Sequence, residues 1–284
     1  MGGQSVSHLR GEDLGGVAFV FPGQGTAGGG LSPELRSTIE EVTGASEVPY
    51  QLSVFAGSVE CLRVLRERGV EPAAVAGHSL GEYTAAYAAG CFGLKEAIRL
   101  VAERDRLMTE AARRNPGKMV AVLRADPEEV VAAAESVSGV VVAANFNTPR
   151  QTVLSGAPEA VEEAAGKVGG RKIPLKVIGA FHSELMRDAS EGMCGLLEAA
   201  EVRDPEYPLV SGLDGRVLET GDQVRRALQE QMLSPVRWVA VIERLAALGV
   251  EEVVEVGEGG TLVRMLKDFG GLPFRGRVAR ELPV

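Results

Sequence analysis

Short apolar runs alternate with longer amphipathic stretches along most of the chain. The short runs predict buried strands over 17–21, 73–76, 208–211, 253–256 and 277–280. Apolar residues at helical spacing predict helices over 33–42, 53–68, 82–89, 94–114, 183–200, 222–232, 235–248 and 261–269. Strands that alternate with helices are typical of an α/β fold, in which helices cover both faces of a parallel sheet.

The middle of the chain has a different rhythm. The elements predicted there are strands over 119–123, 140–144, 151–155 and 172–177, helices over 127–135 and 158–167, and a turn over 145–150. The order βαββαβ is that of a ferredoxin-like unit. We therefore predict a flexible tail over 1–16, a large α/β-hydrolase-like domain over 17–116 and 182–284, and an inserted ferredoxin-like small domain over 117–181.

The strand at 73–76 runs into the sequence Gly-His-Ser-Leu-Gly at 77–81, and a helix follows at once. Strand, G-x-S-x-G and helix together are the signature of a nucleophile elbow. Gly77 and Gly81 have no Cβ, so the backbone can bend sharply and hold Ser79 out at the carboxyl end of the strand. The N-terminus of the next helix would present N–H groups and partial positive charge there. The alternative is an ordinary strand-to-helix turn without chemistry.

Composition and charge exclude several classes of protein. The net charge of −9 argues against a general nucleic-acid binder. We see no apolar run near the ~20 residues of a membrane helix, and no signal-peptide core at the start of the chain. The three cysteines are scattered, without a C-x-x-C pair. We therefore expect a cytoplasmic protein with neither disulfides nor a metal site.

A serine nucleophile needs a general base, and the chain has three histidines. His8 lies in the predicted tail, and His78 adjoins Ser79, so its side chain should leave the strand in a diverging direction. His182 lies where the small domain returns to the large one, a place where a cleft forms. A structural histidine is the alternative, but elimination favours His182 as the base.

Arg104 lies in the middle of the apolar face of the helix over 94–114. One interpretation is an arginine that extends to solvent or pairs with Glu103 or Asp105. The other is an arginine aimed into a pocket, where its two N–H donors could hold an anion.

A glycine-rich loop follows the first strand, and Gly23, Gly25 and Gly28 match G-x-G-x-x-G. A dinucleotide site would also need a second strand that ends in an acid, which the sequence lacks. The better interpretation is a loop beside the elbow that offers backbone N–H groups.

Five motifs in order resemble the malonyl-CoA:acyl carrier protein transacylases, the acyltransferases of fatty-acid and polyketide synthesis. They are FPGQG at 21–25, GHSLGE at 77–82, Arg104, GAFHS at 179–183, and Gln231 followed by PVRW at 235–238. The resemblance runs from about residue 17 to about residue 259. It also implies an inserted ferredoxin-like domain.

The resemblance implies a role for each matching residue. Ser79 would be the nucleophile that becomes malonylated and His182 its base. The backbone N–H groups of Gln24 and Leu80 would form the oxyanion hole. The backbone carbonyl of Gln231 would orient the histidine.

The remaining implied residues concern the substrate. Arg104 would clasp the free carboxylate of the malonyl group and so select against acetyl groups. Phe181 and His78 would also contact substrate, and Phe181 is typical of malonyl-selective enzymes, because methylmalonyl-selective relatives tend to have a small residue there. No metal or cofactor is implied. The partners would be malonyl-CoA and an acyl carrier protein bearing phosphopantetheine, and we expect a monomer that binds neither nucleic acid nor membrane.

Two observations bear on the partner. The segment over 22–76 is shorter than is usual in the family, which affects the predicted pocket entrance.

Residues 115–182 hold as many basic as acidic side chains, so the rest of the chain carries the whole net charge of −9. Carrier proteins are typically acidic, so docking should favour the small-domain side, near Lys167, Arg171 and Lys172.

Three alternatives remain. A serine thioesterase or acyl hydrolase shares G-x-S-x-G, but it would want an acid between serine and histidine and has no need of Arg104. A non-catalytic carrier-binding subunit should have lost Ser79, Arg104 or His182. The transacylase subunit of malonate decarboxylase would use the same chemistry with another carrier.

Overall fold

The computed structural model of the protein describes residues 16–24 and 30–281. The predicted tail therefore lies outside the described residues, except for Gly16, and so do His8, Gly25 and Gly28. The strands in the described residues are β1 (Val17–Phe21), β2 (Ala74–Gly77), β3 (Lys118–Leu123), β4 (Val141–Thr148), β5 (Gln151–Gly156), β6 (Arg171–Pro174), β7 (Leu209–Val210), β8 (Val217–Leu218), β9 (Glu252–Glu255) and β10 (Arg275–Val278).

The α-helices in the same residues are α1 (Pro33–Thr43), α2 (Tyr50–Glu67), α3 (Gly81–Ala88), α4 (Leu94–Arg114), α5 (Pro127–Glu135), α6 (Pro158–Lys167), α7 (Arg187–Ala199), α8 (Gly221–Glu230), α9 (Trp238–Ala247) and α10 (Thr261–Met265). Short 3₁₀ turns occupy Glu184–Met186, Gln231–Leu233, Leu266–Asp268 and Ala279–Glu281. In the described part of the chain, we find no helix that is both long and apolar enough to cross a membrane. Cys61, Cys91 and Cys194, which are all described, carry free thiols.

One sheet has the order β10-β9-β1-β2-β7-β8 and is parallel except for the last pair. Alternate residues of β1 serve opposite cores: Phe19 and Phe21 pack with α2, α3 and α4, whereas Ala18 and Val20 pack against Trp238 and the rest of α9. A central strand that is apolar on both sides is what helices on both faces require. The predicted α/β fold with a parallel sheet is therefore confirmed.

The second sheet is antiparallel, with the order β4-β5-β3-β6. Helices α5 and α6 cover one face, where Val120, Val122 and Leu154 pack with them. Residues of the other face, among them Met119 and Val153, belong to the core cluster of the parallel sheet. The antiparallel sheet thus has its helices on one side and the active-site cavity described below on the other.

The structure corrects two predictions in this sheet. We predicted a turn over 145–150, but β4 continues to Thr148, because Asn145 and Phe146 pair with Val153 and Thr152 across two register shifts. The strand predicted over 172–177 ends at Pro174 instead, after which the chain folds into a tight turn, with the N–H of Val177 bonded to the carbonyl of Leu175.

Other predicted boundaries also need correction. Helix α2 begins at Tyr50 and not at 53, and the 183–200 helix opens with a separate 3₁₀ turn. Helix α9 begins at Trp238 and not at 235, because Val236 forms a bridge with Asn145. The helices predicted to reach 232 and 269 turn into 3₁₀ at 231 and 266, β10 lies two residues earlier than predicted, and β8 was not predicted.

Candidate active site

The turn between β2 and α3 is as tight as the two glycines suggested. A Cβ on Gly77 would lie 2.0 Å from the backbone carbon of Gly81, and a Cβ on Gly81 would lie 2.0 Å from the carbonyl oxygen of Phe21. Between them Ser79 has a φ of 54°. A positive φ costs a non-glycine residue about 1–3 kcal/mol and persists only where the surroundings enforce it. Close backbone packing at both glycines enforces it here, and Ser79 lines the cavity described below.

His182 lies beside Ser79 on the same wall of the cavity described below. Its Nε2 lies 2.8 Å from Ser79 Oγ, and its Nδ1 lies 3.1 Å from the carbonyl oxygen of Gln231 and 3.0 Å from that of Ser234. Carbonyl oxygens only accept, so Nδ1 carries the proton and Nε2 is free to accept the hydroxyl hydrogen. Burial lowers the pKa of His182 to about 4, and the positive charge of Arg104 adds to the shift. The imidazole is therefore neutral and able to act as a base at neutral pH.

Arg104 lies behind the serine. Its side chain is fully buried, and Nη2 donates to Ser79 Oγ at 3.2 Å and to the side-chain oxygen of Gln231 at 3.3 Å. Nη1 donates to the side-chain oxygen of Gln51. The guanidinium also lies 5.6 Å from the ring centre of Tyr83, a cation–π contact. The structure thus places a cation beside the predicted nucleophile.

The alternative interpretation of Arg104 is wrong. Its side chain does not extend to solvent, and no ion pair joins it to Glu103 or Asp105 among the residues that the structure describes. Glu103 pairs with Arg106 instead, and Asp105 accepts the backbone N–H of Gln51 at 3.4 Å. Arg104 Nε has no hydrogen-bond partner within the same residues. Burial lowers the pKa of the guanidinium.

Of the predicted oxyanion donors, Gln24 lies in the loop after β1 and Leu80 directly follows Ser79 in the chain. Gln24 and Ser79 line the same cavity, and Leu80 directly precedes α3. Within residues 16–24 and 30–281, neither backbone N–H donates a hydrogen bond. The loop before the elbow is held close to it, because the N–H of His78 donates to Phe21 O at 3.0 Å. Two unused donors near a nucleophile are what an oxyanion hole requires.

The cavity has a volume of about 460 Å³ and runs between the two sheets. From the parallel-sheet side it is lined by His78, Ser79, Phe181 and His182, and from the antiparallel sheet by Met119, Ala121, Asn145, Asn147, Gln151 and Val153. Near its mouth are Leu175, of which 36% is exposed, and helix α10. One wall therefore carries the reactive groups, and the other combines three apolar side chains with three side-chain amides.

His78 turns away from Ser79, as predicted from its position. Its Nε2 lies 2.8 Å from Asn147 Oδ1, and Asn147 Nδ2 donates to Gln151 Oε1 at 2.9 Å. The ring packs against Trp238 with the centres 5.5 Å apart. Burial lowers the pKa of His78. His78 thus connects the elbow with the antiparallel sheet and contributes to the cavity wall.

The sequence reasoning missed several residues of the site. Gln231 was predicted to act through its carbonyl, but its side chain also contacts Arg104, Ser79 and Glu82. Gln51 is the second residue of α2, and nothing in the sequence around it marks it as part of the site. Glu82 could have been found from the sequence, since it is the last residue of the elbow motif GHSLGE. No group of three or more metal-ligating side chains occurs in the part of the chain that the structure describes.

Comparison with known proteins agrees with this geometry. The sequence profile of the acyl transferase domain family matches residues 39–270. The malonyl CoA-acyl carrier protein transacylase of Bacillus subtilis is 34% identical over 283 residues, covering 88% of this chain and 89% of the relative. The solved malonyl-CoA:ACP transacylase of Synechocystis sp. PCC 6803 has a TM-score of 0.85 at 31% identity, covering 92% of this chain and 96% of the other. The solved complex of a type II PKS acyl-carrier protein with its malonyl-transacylase has a TM-score of 0.85 at 32% identity, covering 92% and 95%.

Proposed function

The chain belongs to the acyl transferase domain family, and on that premise we propose that it transfers a malonyl group from malonyl-CoA to the phosphopantetheine thiol of an acyl carrier protein. The observation that carries the proposal is the position of Ser79 Oγ, 2.8 Å from His182 Nε2 and 3.2 Å from Arg104 Nη2. A base activates the hydroxyl, and a buried cation beside it selects an acyl group that has a negative charge of its own.

The first half-reaction forms an ester. Ser79 Oγ attacks the thioester carbonyl of malonyl-CoA while its proton passes to His182 Nε2. The negative charge that develops on the carbonyl oxygen is stabilised by the N–H groups of Gln24 and Leu80, a contribution of about 3–4 kcal/mol per donor in comparable sites. The carbon–sulfur bond then breaks, and the proton on His182 goes to the departing sulfur of CoA.

The second half-reaction reverses these steps with a different thiol. The carrier's phosphopantetheine thiol gives its proton to His182 and attacks the malonyl ester. Ser79 leaves as the alkoxide and recovers the proton from His182. Because the first product departs before the second substrate reacts, the kinetics are ping-pong.

Arg104 supplies the acyl selectivity. Its Nε has no partner among the described residues, and its Nη2 already lies beside Ser79. A malonyl carboxylate would satisfy these donors, whereas an acetyl group would leave a buried cation without a counter-charge. Phe181, which is buried at the cavity wall next to His182, limits the space around the α-carbon of the acyl group.

The finer predictions about architecture and setting belong to the same proposal. We describe the parallel-sheet unit as α/β-hydrolase-like and the antiparallel unit as ferredoxin-like, with the domain limits predicted above. The acyl carrier protein is the partner, the protein acts as a cytoplasmic monomer, and no step of the reaction calls for a metal or a cofactor.

The thioesterase alternative fits the site less well. In the described residues His182 Nδ1 faces two carbonyl oxygens and not a carboxylate. A hydrolase also gains nothing from a buried arginine beside its nucleophile. The transacylase subunit of malonate decarboxylase would use the same residues, and only the identity of the carrier distinguishes it.

Intact-protein mass spectrometry after mixing with malonyl-, methylmalonyl- or acetyl-CoA tests the proposal. We expect a malonyl adduct on the unaltered protein and on Ser136→Ala, a matched control in the antiparallel unit, but none on Ser79→Ala. Addition of a phosphopantetheinylated carrier should remove the adduct and move it to the carrier. An adduct that persists in Ser79→Ala would reassign the nucleophile, and release of free malonate in place of transfer would favour the hydrolase.

A further inference from the structure

Glu82 is a buried acid that the mechanism above does not use. It lies in the first turn of α3, and only 5% of it is exposed. Its Oε1 accepts from Gln231 Nε2 at 2.9 Å, and its Oε2 accepts from the backbone N–H of Gly212 at 3.2 Å. No lysine, arginine or histidine of the described residues forms an ion pair with it. Burial of an acid without a paired cation is costly, so its contacts require an explanation.

The amide of Gln231 lies at the centre of the site. Besides its bond to Glu82, Nε2 donates to the carbonyl oxygen of Ser79 at 3.0 Å, and Oε1 accepts from Arg104 Nη2 at 3.3 Å. If the amide were flipped, its oxygen would face two acceptors and its NH₂ group would face a cation. All three contacts would become unfavourable, so the orientation of this one amide affects both Ser79 and Arg104.

We propose that Glu82 is a positioning residue for acyl selectivity: by accepting from Nε2 it holds the Gln231 amide in the orientation that presents Oε1 to Arg104, and so holds the guanidinium beside Ser79. The inference rests on the proposed function, because it assigns to Glu82 the support of the malonyl-selecting arginine. It concerns a residue that contacts none of the reacting atoms.

The chemistry explains why a carboxylate occupies this place. An ionised carboxylate only accepts hydrogen bonds, so it permits one orientation of the neighbouring amide, whereas a glutamine would permit two. Its negative charge also favours the charged form of Arg104 against the effect of burial. The space is fitted to it, since a Cβ on Gly212 would lie 2.5 Å from Oε1.

The same reasoning predicts a dependence on pH. The charged and titratable groups around Glu82 are Arg104 from α4, Asp214 from the loop after β7, and its neighbour Tyr83. Burial raises the pKa of Glu82 to about 7, whereas burial raises that of Tyr83 to about 12. Above pH 7 Glu82 is mostly an acceptor only. Below it the protonated carboxyl can also donate, and the constraint on Gln231 is lost.

The test is the ratio of acylation rates with malonyl-CoA and acetyl-CoA, measured by mass spectrometry at pH 8 and pH 6. The contribution of His182 as base is common to both substrates and cancels in the ratio. For the unaltered protein we expect a clear malonyl preference at pH 8 that falls at pH 6. For Glu82→Gln we expect a ratio about ten-fold lower at pH 8 and the same at both pH values.

Glu255→Gln is the matched control. Glu255 is also a buried acid, but its carboxylate accepts the N–H groups of Thr261 and Val263 at the start of α10. This variant should lower the melting temperature and leave the malonyl-to-acetyl ratio unchanged. A stability effect of removing a buried charge is thereby separated from an effect on selectivity.

The outcomes separate the inference from the proposed function. If the unaltered protein prefers malonyl-CoA and both Glu82→Gln and the change of pH leave the ratio unchanged, Glu82 has no positioning role and the proposed function stands. If the unaltered protein shows no malonyl preference at pH 8, the proposed selectivity fails and the inference fails with it. The pH comparison needs no variant, so it decides the inference even if Glu82→Gln does not fold.

Discussion

The two walls of the cavity differ in how their side chains are held. On the parallel-sheet side Ser79 and His182 both have positive φ. Next to this wall, the buried side chains of Arg104 and Gln231 contact Ser79 and are bonded to residues from several different elements. On the antiparallel side Met119, Ala121 and Val153 sit on regular paired strands and contribute apolar surface.

The difference suggests that one wall performs the reaction and the other sets the shape of the space for the substrate. Backbone strain of about 1–3 kcal/mol per residue is tolerated at Ser79 and His182 because surrounding bonds leave them no alternative. Any change on this wall therefore disturbs several interactions together. A change on the antiparallel wall alters the volume available to substrate and leaves the reactive groups in place, so the two walls should respond very differently to substitution.

The largest expected effect is loss of the base. His182→Ala should slow acylation by malonyl-CoA by roughly 10²–10⁴-fold, because Ser79 loses its proton acceptor. Single-turnover mass spectrometry measures this rate. Val153→Ala on the antiparallel wall is the counterpart and should change the rate only several-fold. Similar losses in the two variants would remove the distinction between the walls.

Loss of the cation should affect one acyl group more than another. Arg104→Ala should lower acylation by malonyl-CoA about 10²-fold more than acylation by acetyl-CoA, because only the malonyl group has a carboxylate to bind. The two rates, each compared with the unaltered protein, provide the measurement. Equal losses would mean that Arg104 supports the structure of the site and does not bind the carboxylate.

Phe181 contributes a buried aromatic ring to the parallel-sheet wall, next to His182. Phe181→Ser removes most of a buried ring, and we expect acylation by methylmalonyl-CoA to rise about ten-fold relative to malonyl-CoA, since one methyl group in a tight pocket has about that effect. Competition between the two donors, read by adduct mass, measures the change. An unchanged ratio would show that another part of the wall limits the α-carbon.

A smaller effect concerns the carrier. On the antiparallel unit Lys167 pairs with Glu163 and Lys172 donates to the carbonyls of Val168 and Gly170. Arg171 and Lys176 form no ion pair among the described residues. The combined variant R171E/K176E should therefore raise the KM for an acidic carrier several-fold at low salt and leave acylation by malonyl-CoA unchanged.

A matched charge reversal checks the site of docking. Arg63→Glu on α2, an exposed position that pairs with Glu60 and Glu67, should leave the KM for the carrier unaltered. If R171E/K176E and Arg63→Glu weaken transfer to the carrier alike, the overall charge of the protein, and not the antiparallel unit, governs docking of the carrier.

The smallest expected effect is that of pH on the rate of acylation by acetyl-CoA, which should stay nearly constant. Because burial lowers the pKa of His182 to about 4, the imidazole stays neutral as the pH falls from 8 to 5.5. Acylation by acetyl-CoA, which has no carboxylate for Arg104, should then vary by no more than about two-fold over this range and fall below pH 5. A decline centred near pH 6.5 would show a base with an ordinary pKa and greater exposure to water.

Much of the fold and part of the candidate site could be predicted from local sequence patterns. The elbow could be predicted because its geometry depends on five consecutive residues, two of them glycines that tolerate contacts near 2.0 Å from where a Cβ would lie. Helices α4, α5 and α6 have the predicted limits, since proline or glycine marks each start. Strand β4 was predicted too short because its second half pairs with β5 across two register shifts, which only the neighbouring strand reveals.

The sequence by itself determined the α/β alternation, the serine at the elbow and the identity of its partner histidine, because each rests on local geometry or on scarcity. Only the tertiary structure decided how Gln51, Glu82 and Gln231 are arranged around Arg104. These residues lie 53, 22 and 127 positions from Arg104 in the chain, and each belongs to a different helical element. Their hydrogen bonds form only after the elements pack, and burial then makes each of those bonds matter.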